Sequence, residues 1–168
     1  NGIPHGVKRD YSKEGTIVSG SLYKEGKLIA SGITREDGVR NGAWKDYYSD
    51  GKLKAEGNYK DGKMIGKWNF YHVNGKIEQI GEFDKQGRPV GKWLWYYPSG
   101  NLLREEHYIG GKADGMMSEY SETGDLIAEG DYIDGEEEGQ WKYNIGNFKE
   151  EGGYSYGLRH GLWKHYYN

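Results

Sequence analysis

From Lys52 to Lys60 apolar and polar side chains alternate without a break. Leu53, Ala55, Gly57 and Tyr59 fall on one side, and Lys52, Lys54, Glu56, Asn58 and Lys60 on the other. A period of two sustained over this stretch predicts a half-buried β-strand. Gly57 lies on the inward side, where a missing side chain leaves room for a neighbouring ring. Its counterparts further along are Gly32, Gly81 and Gly130, and Glu106 breaks the series. The strands end at Asp37-Gly38, Asp50-Gly51, Asp61-Gly62, Asn74-Gly75 and Asp134-Gly135. Such pairs tolerate positive φ and favour hairpin turns.

These signals recur. Gly-x-Trp appears at Gly42-Ala43-Trp44, Gly66-Lys67-Trp68, Gly91-Lys92-Trp93, Gly139-Gln140-Trp141 and Gly161-Leu162-Trp163, and Gly115-Met116-Met117 carries Met in place of Trp. The anchor glycines are 24, 25, 24, 24 and 22 residues apart. With Gly6 of a degenerate first copy counted in, Tyr follows the anchors by five residues at Tyr11, Tyr47, Tyr71, Tyr96, Tyr120 and Tyr166, with Asn144 the exception, and a turn Gly follows by nine at Gly15, Gly51, Gly75, Gly100 and Gly124. Residues 1–168 therefore read as a single repeat array. Copies start near 6, 42, 66, 91, 115 and 139, a half copy starts at 161, and residues 26–41 form an irregular half copy. In that half copy, either one Trp-bearing strand is missing or one half-unit is duplicated.

Each copy predicts one hairpin, and short links make successive strands antiparallel neighbours. The fold class expected is all-β, an elongated antiparallel meander of about a dozen strands forming a twisted ribbon or half-pipe. Strands of about seven residues would make it ~23 Å wide and ~60 Å long. A lone hairpin is not stable in water, so each copy must bury its rings against its neighbours.

The Trp-bearing strand is less regular. Trp68 and Tyr71 are three residues apart and face opposite ways in a flat strand. Either a bulge brings them together, or both faces carry rings. Phe70, Trp95, Tyr48 and Tyr97 share this strand type, which favours rings on both faces. One face would be packed and the other aromatic and partly exposed. The candidate binding surface is Tyr48, Tyr71, His72, Trp95, Tyr96, Tyr97, Tyr120, Trp163 and Tyr166.

Composition explains why rings carry the core. Leu, Ile, Val and Phe make up only about 17% of the chain, against 16 Tyr and 6 Trp. Each ring can cover roughly 150–250 Å². The net charge of -3 and the absence of a basic block argue against nucleic acid. No apolar stretch is long enough for a membrane helix, and there is no Cys for a thiolate or disulfide. The chain begins at Asn1, behind either a cleaved leader or an arbitrary boundary. An exported bacterial location, in the periplasm or at the cell surface, is favoured over the cytoplasm.

The copies, with Tyr-x-Asp-Gly-Lys followed by Gly-x-Trp, resemble MORN repeats. Gly-Lys-Trp-x-x-Tyr-Tyr-x-x-Gly-Lys-Leu is similar to the bacterial MORN variant of YwqK-family antitoxins. The resemblance covers nearly the whole chain, least well at residues 20–41 and 139–161. It implies hairpin arrays that serve as scaffolds for protein or lipid contact, and it brings no catalytic residues.

No enzymatic chemistry emerges from the residues. Ser21-Leu22-Tyr23-Lys24 and Ser49-Asp50-Gly51-Lys52 fit S-x-x-K, but acylase chemistry needs that pair on one helical turn, and here it falls on a strand and in a turn. His5, His72, His107, His160 and His165 are scattered without metal-ligand spacing. Glu136-Glu137-Glu138 lack the ligand pattern of a calcium loop. No catalytic residue, metal or cofactor is expected. The leading expectation is a non-enzymatic scaffold that binds a protein through an aromatic sheet face or an open edge at Gly161–Asn168. A carbohydrate or cell-wall binding module is the alternative, because exposed rings stack on sugars or cage cations. Lipid-headgroup binding is third, disfavoured by the negative net charge.

Overall fold

The computed structural model describes residues 2–167, and among them there are fifteen β-strands and no helix. The chain divides into two compact units, residues 1–87 and 88–168. The first holds β1 (Gly6–Tyr11), β2 (Ile17–Lys24), β3 (Lys27–Thr34), β4 (Arg40–Tyr47), β5 (Leu53–Lys60), β6 (Lys63–Tyr71) and β7 (Ile77–Phe83). The second holds β8 (Pro89–Tyr96), β9 (Leu102–Ile109), β10 (Lys112–Ala113), β11 (Gly115–Tyr120), β12 (Leu126–Ile133), β13 (Glu136–Ile145), β14 (Phe148–Ser155) and β15 (Leu158–Tyr167). Within each unit the strands form an antiparallel meander in chain order, with short β10 paired to β9 beside β11.

The all-β hairpin class is as the alternation predicts, and the strand count is higher. Two causes account for this. The irregular stretch before Gly42 holds both β2 and β3, paired to each other. The Met117-bearing strand of the fifth copy is interrupted at Asp114, which splits off β10. Gly32 of β3 lies opposite Trp44, as a glycine-bearing strand should.

Turn chemistry follows the dipeptides. The Asp50 carboxylate accepts the Lys52 amide at 3.1 Å, and the Asn74 side chain accepts the Lys76 amide at 3.0 Å. Asp61 and Asp134 adopt positive φ in their turns, a conformation Asp tolerates better than most residues.

The repeat is built on one steric device. The anchor Gly66 has a φ of 63°, a region that costs a side chain roughly 1–2 kcal/mol. Its left-handed turn bulges β6, so that Glu56 pairs with Asn69 and Asn58 with Ile65 while Gly57 faces the bulge. Trp68 thereby folds back onto the bare backbone of Gly57, where an added Cβ would strike the indole. Its Nε1 donates to the Asn58 carbonyl at 3.2 Å. The same seat recurs for Trp44 on Gly32, Trp141 on Gly130 and Trp163 on Gly152.

Residues directly opposite in antiparallel strands share a face, so the register sorts each unit into two faces. The ring face of the first unit holds Ala30, Trp44, Ala55, Tyr59 and Trp68, flanked by Leu22, Met64, Phe70 and Phe83. Tyr59 stands edge-on to Trp44 at 6.0 Å and to Trp68 at 5.1 Å. Offset and edge-to-face geometries of this kind add to simple burial. In the second unit Met117, Ala128 and Trp141 are buried among Tyr132, Tyr143, Tyr154 and Trp163. The opposite face carries charge. Lys45 meets Glu56 at 3.6 Å, Lys142 meets Glu129 at 2.8 Å and Lys164 meets Glu151 at 3.5 Å. Exposed pairs like these contribute ~0–1 kcal/mol each, so their main effect is on register.

Candidate interaction surface

The expected surface residues fall into two groups. Tyr48 and Tyr97 are half-buried ties between successive copies. The Tyr48 hydroxyl donates to the Tyr71 carbonyl at 2.6 Å, and Tyr97 donates to the Tyr120 carbonyl at 2.9 Å. Tyr71, Tyr96 and Tyr120 each follow a register shift. The shift turns the Tyr71 hydroxyl to Glu56, on the charged face, at 2.6 Å. His72 opens a turn, its amide donating to the Lys76 carbonyl at 2.8 Å. Trp95 lies tilted against Trp93 with centroids 6.0 Å apart. These seven residues are knit into the sheets.

Trp163 and Tyr166 lie on β15, and there the environment changes. Trp163 is half-buried, stacked on Tyr143 at 6.4 Å and edge-on to Tyr154 at 5.1 Å. Tyr166 donates to Glu151 at 3.0 Å and is exposed. Tyr156, Leu158, Leu162 and Tyr167 are each more than 70% exposed. β15 ends the strand order, and Asn168, the last residue of the expected edge, lies outside the described residues.

The sequence reading passed over the arginines. Arg159 lies 4.0 Å over the Trp163 ring and ion-pairs with Glu150. Arg40, at the equivalent place four residues before Trp44, lies 4.5 Å over that ring and donates to the Tyr59 hydroxyl at 2.9 Å. Met64 occupies the same place before Trp68. A cation over an indole face is favourable, and the fixed offset from Trp was the available signal.

Copy four departs from the repeat chemistry. Glu106 occupies the glycine position and is 5% exposed. Arg104 donates to it through Nε at 2.9 Å and reaches Glu119 at 3.5 Å. Met117 occupies the position of the Trp that would have rested there. Arg104, Glu106 and Glu119 line an open hollow of about 420 Å³ with Trp95 and Tyr108. A larger hollow of about 600 Å³ in the first unit is lined by Val18, Ile33 and Trp44 together with Ser31, Lys45 and Glu56. Among the described residues no three His, Asp or Glu side chains gather to hold a metal ion.

Several phenols are held above their ordinary pKa. Burial raises Tyr143, Tyr132, Tyr108 and Tyr48, and burial together with the bond to Glu56 raises Tyr71. The hydrogen bond to Glu151 raises Tyr166. A phenol whose folded pKa is raised is neutral in the fold where the unfolded chain has already ionised. The phenols' contribution to stability is therefore constant below about pH 10 and is lost as pH rises through the folded values. Lys142, raised by its bond to Glu129, acts in the same direction. The urea midpoint is expected to hold from pH 8 to 9.5 and to drop by pH 11.5. A flat profile would contradict the burial of these phenols.

The model of the MORN repeat variant matches residues 40–61 and 89–109. Each match covers a Trp-bearing strand and the strand paired after it, β4 with glycine-bearing β5 and β8 with β9, where Glu106 replaces the glycine. These two hairpins are similar to MORN-type repeats, a class that in general mediates protein or membrane contact and is not in general an enzyme family. No curated protein matches the chain in sequence. Among solved structures, the crystal structure of a GtfA/B complex bound to UDP and GlcNAc is similar to 62% of this chain, at 13% identity and a TM-score of 0.29. The aligned part is 20% of that larger chain. Among the described residues no helix is long and apolar enough to cross a membrane.

Proposed function

We propose that residues 1–168 act as one non-enzymatic repeat scaffold that binds a protein partner along the β14–β15 hairpin. One observation carries this reading. Among the described residues, five of the fourteen large hydrophobics that stand exposed lie between Tyr156 and Tyr167. Clustered exposed apolar side chains beside polar ones suit a protein contact, and Tyr and Trp give large contact area at low entropy cost. A YwqK-type antitoxin would be one form of such a scaffold, with a toxin as its partner.

The test is affinity capture with three baits: the parent chain, a Leu158→Asp/Leu162→Asp variant, and a Val7→Asp control on β1. Circular dichroism checks that all three fold. A polypeptide held by the parent and the control, and lost from the β15 variant, is the expected result. Equal capture by all three would end the reading. So would retention of the chain on cell-wall fragments or lipid vesicles with no polypeptide captured.

A further inference from the structure

The second unit departs from the repeat at three positions that touch or adjoin. The glycine that seats an indole is Glu106 in copy four, and the indole it would seat is Met117 in the copy after it. Two residues before the glycine, where Ala30, Ala55 and Ala128 are buried, stands Arg104. Stability alone does not call for this exchange. A buried ion pair can be replaced by apolar side chains of similar volume at little or no loss, and Gly130 with Trp141 shows the apolar solution within the same unit. Breaks in an otherwise consistent local pattern gather at functional sites.

The substituted side chains leave a space rather than filling one. Trp95, Arg104, Glu106, Tyr108 and Glu119 line a hollow of about 420 Å³, a volume typical of small-molecule sites. Arg104 lies opposite Trp95 on β8 and opposite Glu119 on β11. The three therefore form one row on one face, about 10 Å from end to end. Glu106 is the floor. Its side chain is 6% exposed, and its Oε2 accepts from Nε and Nη2 of Arg104, both at 2.9 Å. That double bond to one carboxylate fixes the plane of the guanidinium. Arg104 and Glu119 are each about one-third exposed and 3.5 Å apart, so a donor edge and an acceptor edge reach the solvent side by side. A guanidinium has five N–H donors and a carboxylate about four acceptor positions, more than these contacts occupy.

We propose that this hollow binds a neutral saccharide, one sugar ring packed on Trp95 and its hydroxyls held by Arg104 and Glu119. Sugars match both halves of the row. A sugar ring has a C–H face that packs on a flat indole, and each hydroxyl on its rim both donates and accepts. Glu106 is a positioning residue, holding Arg104 in place before the ligand arrives, which lowers the cost of binding. Other ligand classes fit less well. A phosphate or carboxylate meets two carboxylates for one guanidinium. A wholly apolar ligand takes water from Arg104 and Glu119 and returns no hydrogen bond. The site lies within the second unit on β8, β9 and β11, and it is independent of the protein-binding reading of β14–β15.

The probes are maltotriose, cellotriose and mannotriose, each titrated calorimetrically into the full chain, with choline as a cation of small size. Saturable binding of at least one trisaccharide is expected, with amide exchange slowed in β8, β9 and β11. Trp95→Ala and Glu119→Ala should each weaken it at least about tenfold, whereas Glu119→Gln, which keeps an acceptor and loses the charge, should stay within about threefold. The Glu106→Gly/Met117→Trp variant fills the hollow with an indole and should lose binding while its far-ultraviolet circular dichroism is unchanged, so the test does not depend on whether Trp95→Ala folds. Failure of all three sugars to bind overturns the proposal, as does binding that neither Trp95→Ala nor Glu119→Ala weakens. Choline binding tighter than any sugar and abolished by Glu119→Gln also overturns it, in favour of a cation site. If the Leu158→Asp/Leu162→Asp variant binds sugar as the parent does, the hollow is the site, and loss of sugar binding in that variant overturns the assignment. Polypeptide capture through β15 with no sugar bound defeats this inference alone, and sugar binding with equal capture by all three baits defeats only the scaffold reading.

Discussion

Glu106→Gly and Met117→Trp are each expected to destabilise the second unit by about 2–4 kcal/mol, while the double variant recovers most of the loss. In the regular copies an indole rests on a bare glycine, and here that pairing is replaced by Glu106 and Met117. Removing the Glu106 side chain alone opens a hole and strips Arg104 of its closest carboxylate, 2.9 Å away. The guanidinium is still about one-third exposed, which limits the cost relative to a fully buried charge. Adding an indole at Met117 while Glu106 remains forces a ring into space already filled. Making both changes restores the seat seen at Gly130 and Trp141. Chemical denaturation of the four proteins in a double-mutant cycle measures the coupling, expected to be about 1–3 kcal/mol. Additive losses would show that the two positions are independent.

Gly57→Ala is expected to cost as much as Trp68→Ala, about 3–5 kcal/mol. This inverts the usual ranking, in which adding one methyl group is mild. Trp68 is fully buried, and its ring lies where the new methyl must go. The mutation therefore displaces the indole and loses its packing against Tyr59 and Phe70. Gly51 provides the contrast. An added Cβ there meets no atom within 4 Å and only the positive φ opposes it, so Gly51→Ala should cost about 1–2 kcal/mol. Thermal unfolding of the three variants separates the two kinds of glycine, and similar shifts for Gly57→Ala and Gly51→Ala would refute the distinction.

The hairpins were legible because alternation and Asp-Gly turns are written locally, as in Lys52–Lys60. The two irregularities of the Trp-bearing strand were harder to read. A bulge at Gly66 and a register shift before Tyr71 are backbone events that hydrophobic pattern does not mark. A bulge and rings on two faces looked like alternatives, yet both occur, with Trp68 on one face and Tyr71 on the other. The candidate surface was legible only in part. Side-chain identity placed Tyr48 and Tyr97 among the exposed rings, but their hydroxyls are spent on carbonyls 23 residues onward, a long-range contact no local pattern announces. Glu106 and Met117 were each visible as departures from the repeat. Their connection required knowing that a ring is seated by the strand before it.

That seating gives the array a grammar of succession. The glycine belongs to one copy and the ring it receives to the next, so a change in either is answered across the boundary between them. A copy ending on Glu106 can be followed only by one opening on a slender side chain such as Met117. Copies of this chain are thus not interchangeable beads, and an exchange of two of them by recombination would have to carry the preceding half-hairpin along to leave a foldable protein.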